Sequence, residues 1–273
     1  MYRVGIDIGG TFTDMLWVGE DGAAIIGKSL TTPDDPSLAV ENALKPVLEN
    51  GRVERDERGT LIHGTTLVTN SLIERKGSRT ALLTTAGFRD AVEIGREHRY
   101  ELYDLNLDLP KTLVPRHLRF DVPERMAADG TVLQPLDEGF VRRLVGELRD
   151  KGIEAIAVSY LHSFRNPAHE RRTAEIIAQV APRIRVSISS EVVAEIREFQ
   201  RTSTTLANVY VRERVANYLE RLQQRLDKIG FAGSFFVMLS SGGIATRETS
   251  ARFPVRLLES GPAAGALAAA QAG

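Results

Sequence analysis

The sequence has no cysteine, so neither a disulfide framework nor a thiolate metal site is available to it. It also lacks a net charge of either sign: 35 lysines and arginines stand against 36 aspartates and glutamates, a formal charge of -1. Such a chain has no bulk field to attract nucleic acid or an anionic membrane, so an anionic ligand has to be held by local groups. Long apolar runs are missing as well. Stretches such as Ala263 to Ala270 fall far short of the roughly 20 residues that span a bilayer, and the chain opens on a strand pattern instead of a basic and apolar signal segment. No nucleic-acid or membrane partner is therefore expected, and the cytoplasm is the expected location. What is present is 273 residues of 42% hydrophobic and 26% charged content, enough for one or two globular domains with a sizeable core.

Strand and helix patterns alternate, which predicts the α/β class. Arg3 to Gly9, Phe12 to Val18 and Ala24 to Leu30 read as strands joined by the tight turns GGT and GEDG, an antiparallel meander unlike a dinucleotide-binding start. Ser37 to Leu48 reads as a helix behind Pro36, Thr60 to His63 as a short strand, and Thr66 to Lys76 as a helix closed by Gly77. Arg79 to Thr84 resumes the sheet. From Gly95 to Pro135 apolar residues keep no period, and loops with short strands are expected. Asp137 to Lys151 and Pro167 to Val180 follow as helices, with strands at Ile153 to Ser159 and Arg185 to Ile188. Thr202 to Ile229 has near-helical apolar spacing and predicts one long helix or two nearly continuous ones. A strand at Ser234 to Leu239 and a small-residue helix from about Pro262 complete the pattern.

The chemistry concentrates in VGIDIGGTFTDM, residues 4 to 15. Gly9 and Gly10 allow the turn backbone angles that other residues resist and let a phosphate approach the backbone amides closely. Thr11 and Thr13 add hydroxyl donors, and Asp14 carries a second carboxylate into the next strand. Asp7, at the strand end, would repel a naked phosphate. It suits a hydrated Mg²⁺ that meets phosphate oxygens through water.

This string resembles the first phosphate loop of the actin-like ATPase and sugar kinase superfamily, and its GGTFTD form resembles the hydantoinase A and 5-oxoprolinase family. HGTTLVTNSLIERKG at 63 to 77, EIREFQRTSTTLANVYV at 195 to 211, and SSGGIAT with PVRLLESGPAAG at 240 to 265 are similar to further signatures of that family, in the same order. The resemblance implies two ribonuclease H-like lobes with ATP in the cleft, and a reaction in which ATP phosphorylates the carbonyl oxygen of a cyclic amide or imide so that water can open it. Relatives that carboxylate acetone or acetophenone apply the same activation to a ketone.

On that resemblance the catalytic group is Asp7, Thr11 and Asp14, with Asp7 the metal ligand and ATP with Mg²⁺ the cofactors. Gly9, Gly10, Thr11, Thr13, Gly64, Thr65, Thr66 and Gly261 are the expected nucleotide contacts, and His63, Asn70 and Arg201 the expected substrate contacts. Plain alternatives stand beside several of these. Thr65, Thr66, Thr69 and Asn70 lie where side chains cap a helix, although a helix start also binds anions. His63 is as well explained by a structural role, Arg201 by a solvated helix face, and the GPAAG segment by tight packing, although its helix start also aims a dipole.

The expected division is an N-terminal ATPase-lobe region over 1–190 and the start of a hydantoinase A core region over 191–273. Actin-like ATPases require a second aspartate-glycine-glycine loop, yet only one DxGG occurs in the 273 residues, and SSGG at 240 to 243 lacks the acid. The chain therefore reads as the N-terminal portion of a longer hydrolase subunit, inactive alone. The expected partners are a small cyclic amide, imide or ketone substrate and a hydantoinase B-like subunit, with self-association through the alanine-rich segment near Gly261 to Gly273. Two other readings stay open: the ATPase subunit of a ketone carboxylase, and a nucleotide-binding module without turnover.

Overall fold

A computed structural model describes residues 2–32, 35–49, 59–96, 101, 103–108 and 110–272. By compactness they form two units, Met1–Lys76 with Arg212–Gly273, and Gly77–Val211. This is a partition in space and differs from a linear division at residue 190.

The first unit opens with β1 (Tyr2–Ile8), β2 (Phe12–Val18) and β3 (Ala24–Leu30), paired antiparallel as the tight turns require. Gly22 closes the second turn at a φ of 78°, in the left-handed region that favours glycine. Next come α1 (Pro36–Glu49), β4 (Gly59–Thr65), which pairs parallel to β1, and α2 (Leu67–Ile73). In β1, Tyr2, Val4, Ile6 and Ile8 are buried while Arg3, Gly5 and Asp7 are exposed. Side chains alternate across a strand, so one face of the sheet forms the core and the other carries Asp7.

The second unit contains β5 (Thr80–Thr85), α3 (Ala91–Ile94), β6 (Arg119–Val122), β7 (Arg125–Met126), β8 (Val132–Gln134), α4 (Glu138–Asp150), β9 (Ala155–Ser159), α5 (Ala168–Val180), β10 (Arg185–Ile188) and α6 (Ser189–Val192). Its main sheet has the order β10-β9-β5-β6 and is parallel throughout. β5 and β9 are buried at every position, as in strands covered on both faces, although three of the six residues of β5 are threonines. Asp137 caps α4, its carboxylate accepting from the Phe140 N–H at 2.8 Å, and Val141, Leu144, Val145 and Leu148 form the buried stripe. The aperiodic stretch before Pro135 yields the short strands β6 to β8, and part of it lies outside the described residues.

α7 (Glu198–Lys228) is a single helix of 31 residues, whose residues from Arg212 onward belong to the first unit. There Val215, Tyr218, Leu219, Leu222 and Leu226 are buried. The chain then adds β11 (Ser234–Met238), parallel to β4, and β12 (Ile244–Thr246), giving a six-stranded sheet of order β12-β11-β4-β1-β2-β3. α8 (Arg247–Arg252) and α9 (Ser260–Ala272) end it. α2 stops at Ile73, short of the expected end at Lys76. Gly77 serves close packing instead: a Cβ there would lie 2.5 Å from the Tyr210 carbonyl oxygen. Among the described residues no helix is long and apolar enough to cross a membrane.

Candidate nucleotide site

The turn between β1 and β2 is closed by the Gly9 N–H donating to the Phe12 oxygen at 3.0 Å. A Cβ on Gly9 would sit 3.2 Å from that oxygen, whereas one on Gly10 would meet nothing within 4 Å. Neither glycine has a φ in the left-handed region. The expected need for unusual backbone angles is therefore absent; Gly9 instead allows the close approach of the Phe12 carbonyl, and Gly10 leaves the turn open on its side.

Thr31, just beyond β3, ties this turn down. Its hydroxyl donates to the Gly9 oxygen at 2.9 Å and its N–H donates to the Thr11 oxygen at 2.9 Å. No motif singles out Thr31, although the register of the meander brings the end of β3 beside the start of β2, with Phe12 opposite Leu30.

Asp7 lies opposite Asp14 on one side and Gly64 on the other, so all three share the exposed face. A Cβ on Gly64 would stand 3.0 Å from Asp7 Oδ1, and its absence leaves room for the carboxylate. Desolvation, reinforced by the nearby Asp14 charge, pushes the Asp7 carboxyl above the ordinary carboxylate range. Asp14 is paired with Lys28 at 2.8 Å, and Lys28 also lies over the Phe12 ring. Asp7 makes no ion pair or hydrogen bond among the described residues. One carboxylate of the pair thus has a protein cation beside it, and the other has none among the described residues.

Thr13 takes the opposite side. The alternation of β2 buries it completely, with its hydroxyl 3.1 Å from Thr31 Oγ1, so it secures the turn from the core while Thr11 remains exposed. Thr65 and Thr66 act locally: Thr65 Oγ1 accepts from the Leu67 N–H at 3.2 Å, and the Thr66 hydroxyl donates to the Ile8 oxygen at 3.3 Å. Asn70 donates to Thr66 Oγ1 at 3.2 Å. With only seven residues, α2 has a weak dipole, so the anion site expected at its start has little behind it. Ser260 donates to the Thr65 oxygen at 3.3 Å, which sets Gly261 and the start of α9 beside the end of β4. The preceding residue, Glu259, has a φ of 62°.

Two expected substrate contacts are interior groups. His63 is fully buried, with Nε2 2.7 Å from the Tyr218 hydroxyl. Burial lowers its pKa to about 4, so the ring is neutral at physiological pH. Arg201 is buried in the second unit, where Nη2 donates to the Tyr160 oxygen at 2.7 Å, Nε to Ser189 Oγ at 3.1 Å and Nη1 to the Glu195 oxygen at 2.9 Å. Buried Glu170, which accepts from Ser189, lies in the same network. Each guanidinium nitrogen already has a protein acceptor, so as packed Arg201 has a bracing role in its own unit.

Residues 3–181 match the hydantoinase/oxoprolinase N-terminal region and residues 201–273 match the hydantoinase/oxoprolinase model. The chain belongs to the hydantoinase/oxoprolinase family. It is 41% identical to an uncharacterized protein of Methanocaldococcus jannaschii over 98% of this chain and 40% of that protein. It is 35% identical to caprolactamase subunit alpha of Pseudomonas jessenii, over 96% of this chain and 38% of the relative. The nucleotide-free structure of acetone carboxylase, from work on the mechanism of ATP-dependent acetone carboxylation, has the same mixed α/β fold: TM-score 0.87, 30% identity, 98% of this chain and 40% of that one. The chain thus spans about two fifths of the length of these relatives.

Proposed function

We propose that these residues form one ATP-binding lobe of a cyclic amidase of the hydantoinase and 5-oxoprolinase type. The observation that carries this reading is the unpaired Asp7 carboxylate on the exposed face, between Asp14 and Gly64 and directly before the Gly9–Gly10 turn. The sheet order, an antiparallel β1–β3 meander followed by parallel β4 and β11, supports an actin-like ATPase lobe. Along the sequence we keep a division near residue 190, between the two matched regions.

ATP, when bound, would supply a phosphoryl group to the carbonyl oxygen of a lactam or imide. Hydrated Mg²⁺ fits the donors present, because Mg²⁺ usually keeps several waters and takes only one or two carboxylates. Among the described residues no cluster of three acidic or histidine groups offers a closed metal cage. In this reading Asp7 orients the hydrated ion, and Asp14 stands beside it held by Lys28. Gly9, Gly10 and Thr11 receive phosphate oxygens, Gly64 leaves space for the metal-bound water, and Gly261 borders the site from α9. Thr13, Thr65, Thr66 and Asn70 hold the loops in position. Caprolactamase, acting on a lactam, supports the cyclic amide as substrate, and its designation as a subunit alpha supports a second subunit of hydantoinase B type.

The test is steady-state ATP hydrolysis by the longer protein with 5-oxoproline, hydantoin and caprolactam. Asp7→Ala should lower turnover about a thousandfold, equivalent to about 4 kcal/mol of transition-state stabilisation, with the melting temperature kept. Turnover within a few fold of the wild type would make Asp7 a turn residue only.

A further inference from the structure

The second unit contains an open cavity of about 560 Å³ lined by Arg96, Ala194, Glu195, Ile196, Arg197 and Gln200. Its size is that of a small-molecule site. Several arginines of this unit are paired with acids, among them Arg116 with Asp90, Arg119 with Glu93 and Arg172 with Glu138. The two in the cavity have no acid partner among the described residues. Arg96 lies against a neutral amide: with the oxygen of Gln200 assigned to the side that faces the guanidinium, as the donors there require, it accepts from Nε at 2.7 Å and from Nη2 at 2.9 Å. Arg197 makes no ion pair among the described residues. Among the described residues of the lining these two cations face one acid, Glu195.

The backbone adds a second, independent observation. Arg197 has a φ of 80°, in the left-handed region that residues other than glycine rarely occupy, so a long cation stands where the fold would favour glycine. Across the cavity Gly95, at a φ of 62°, packs against Phe199 and delivers Arg96. Ile196, 63% exposed, and Ala194 give the cavity an apolar wall.

We propose that this cavity binds a small organic monoanion, a carboxylate on an apolar body, through Arg96 and Arg197. A guanidinium matches a carboxylate in two parallel hydrogen bonds. Gln200 occupies the Nε and Nη2 edge of Arg96 and leaves Nη1 for the ligand, while Arg197 offers its whole fork. Glu195 disfavours a dianion such as phosphate, and Ala194 and Ile196 accept the apolar body. The site uses residues of the second unit alone and does not depend on the ATP reading.

Calorimetric titration of the protein with cyclopentanecarboxylate, its neutral carboxamide and inorganic phosphate tests the proposal. The carboxylate should bind with a Kd in the millimolar range, at least about tenfold tighter than either comparison compound. Arg197→Gly relieves the left-handed backbone and should keep or raise the melting temperature while weakening carboxylate binding about tenfold; Arg96→Met should weaken it similarly. Equal affinity for the carboxamide, tighter binding of phosphate, undiminished binding by folded Arg197→Gly, or no binding at about ten times a millimolar Kd would each overturn it.

Discussion

The Tyr218 hydroxyl lies 2.7 Å from His63 Nε2, with both side chains sealed from solvent between β4 and α7. Burial lowers the His63 pKa from 6.5 to about 4, outweighing the opposing effect of the nearby Ile6 backbone, which closes no hydrogen bond to Nδ1. The unfolded chain takes up this proton below pH 6.5, while the folded chain refuses it down to about pH 4. Stability from neutral His63 is therefore present above pH 6.5 and is lost as pH falls through that window, by about 3 kcal/mol in all. Denaturant melts at pH 7.5 and 4.5 should show the loss in the wild type and a clearly smaller one in His63→Gln. Parallel pH profiles for the two proteins would show that another group governs the acid limb.

Gly64→Ala should act on chemistry more than on folding. The new methyl would stand 3.0 Å from Asp7 Oδ1, closer than relaxed contact, and the exposed carboxylate is free to swing away. A displacement of that kind is enough to spoil a metal-positioning group, since such groups have to be held within about 0.5 Å. In the longer protein, ATP turnover should fall about tenfold or more while unfolding free energy changes by less than about 1 kcal/mol. A variant as active as the wild type would mean that Asp7 has no fixed role.

The meander, the alternation of the sheets and the single long helix were legible because each leaves a local period in the sequence. β2 and β3 match their expected ends, Phe12–Val18 and Ala24–Leu30, and the parallel strand β9 stands out as a short apolar run. The site was legible only as a string. That Thr13 turns to the core while Thr11 stays outside follows from the period of two once β2 is placed, but the expectation had treated both hydroxyls as donors to a ligand. Thr31, Lys28 and Ser260 were missed because their contacts cross 22, 14 and 195 positions of sequence, distances over which no periodic signal exists. For Arg201 the sequence displays a cation on a helix; only the packed structure supplies the carbonyls that enclose it.

Gly10→Val is expected to separate binding from stability. A Cβ at this position would meet nothing within 4 Å and the backbone is not left-handed, so the fold should tolerate the substitution with a melting temperature close to that of the wild type. A phosphate approaching the turn amides would meet the two methyl groups instead. Titration of the longer protein with a non-hydrolysable ATP analogue should show affinity reduced at least about tenfold, a change of about 1.4 kcal/mol. A large drop in melting temperature with unchanged affinity would assign Gly10 to folding alone.

The 273-residue polypeptide by itself should hydrolyse no ATP above background, with or without a B-type partner subunit. Phosphoryl transfer requires the β- and γ-phosphates to be gripped and the attacking group held within about 3 to 3.5 Å of phosphorus, and such positioning accounts for about 7 to 11 kcal/mol of a barrier. The sequence has one DxGG, and the turn it forms offers Gly9, Gly10 and Thr11 with a single unpaired carboxylate, Asp7. These groups can hold one side of a metal-bound phosphate chain. They contain no second loop to close on the γ-phosphate and no base aimed at an incoming nucleophile. A phosphate-release assay on the purified polypeptide, with 5-oxoproline, hydantoin or caprolactam added in turn, decides the matter. Substrate-dependent release at about one turnover per second, ordinary for an enzyme, would mean that these 273 residues complete the grip by another route.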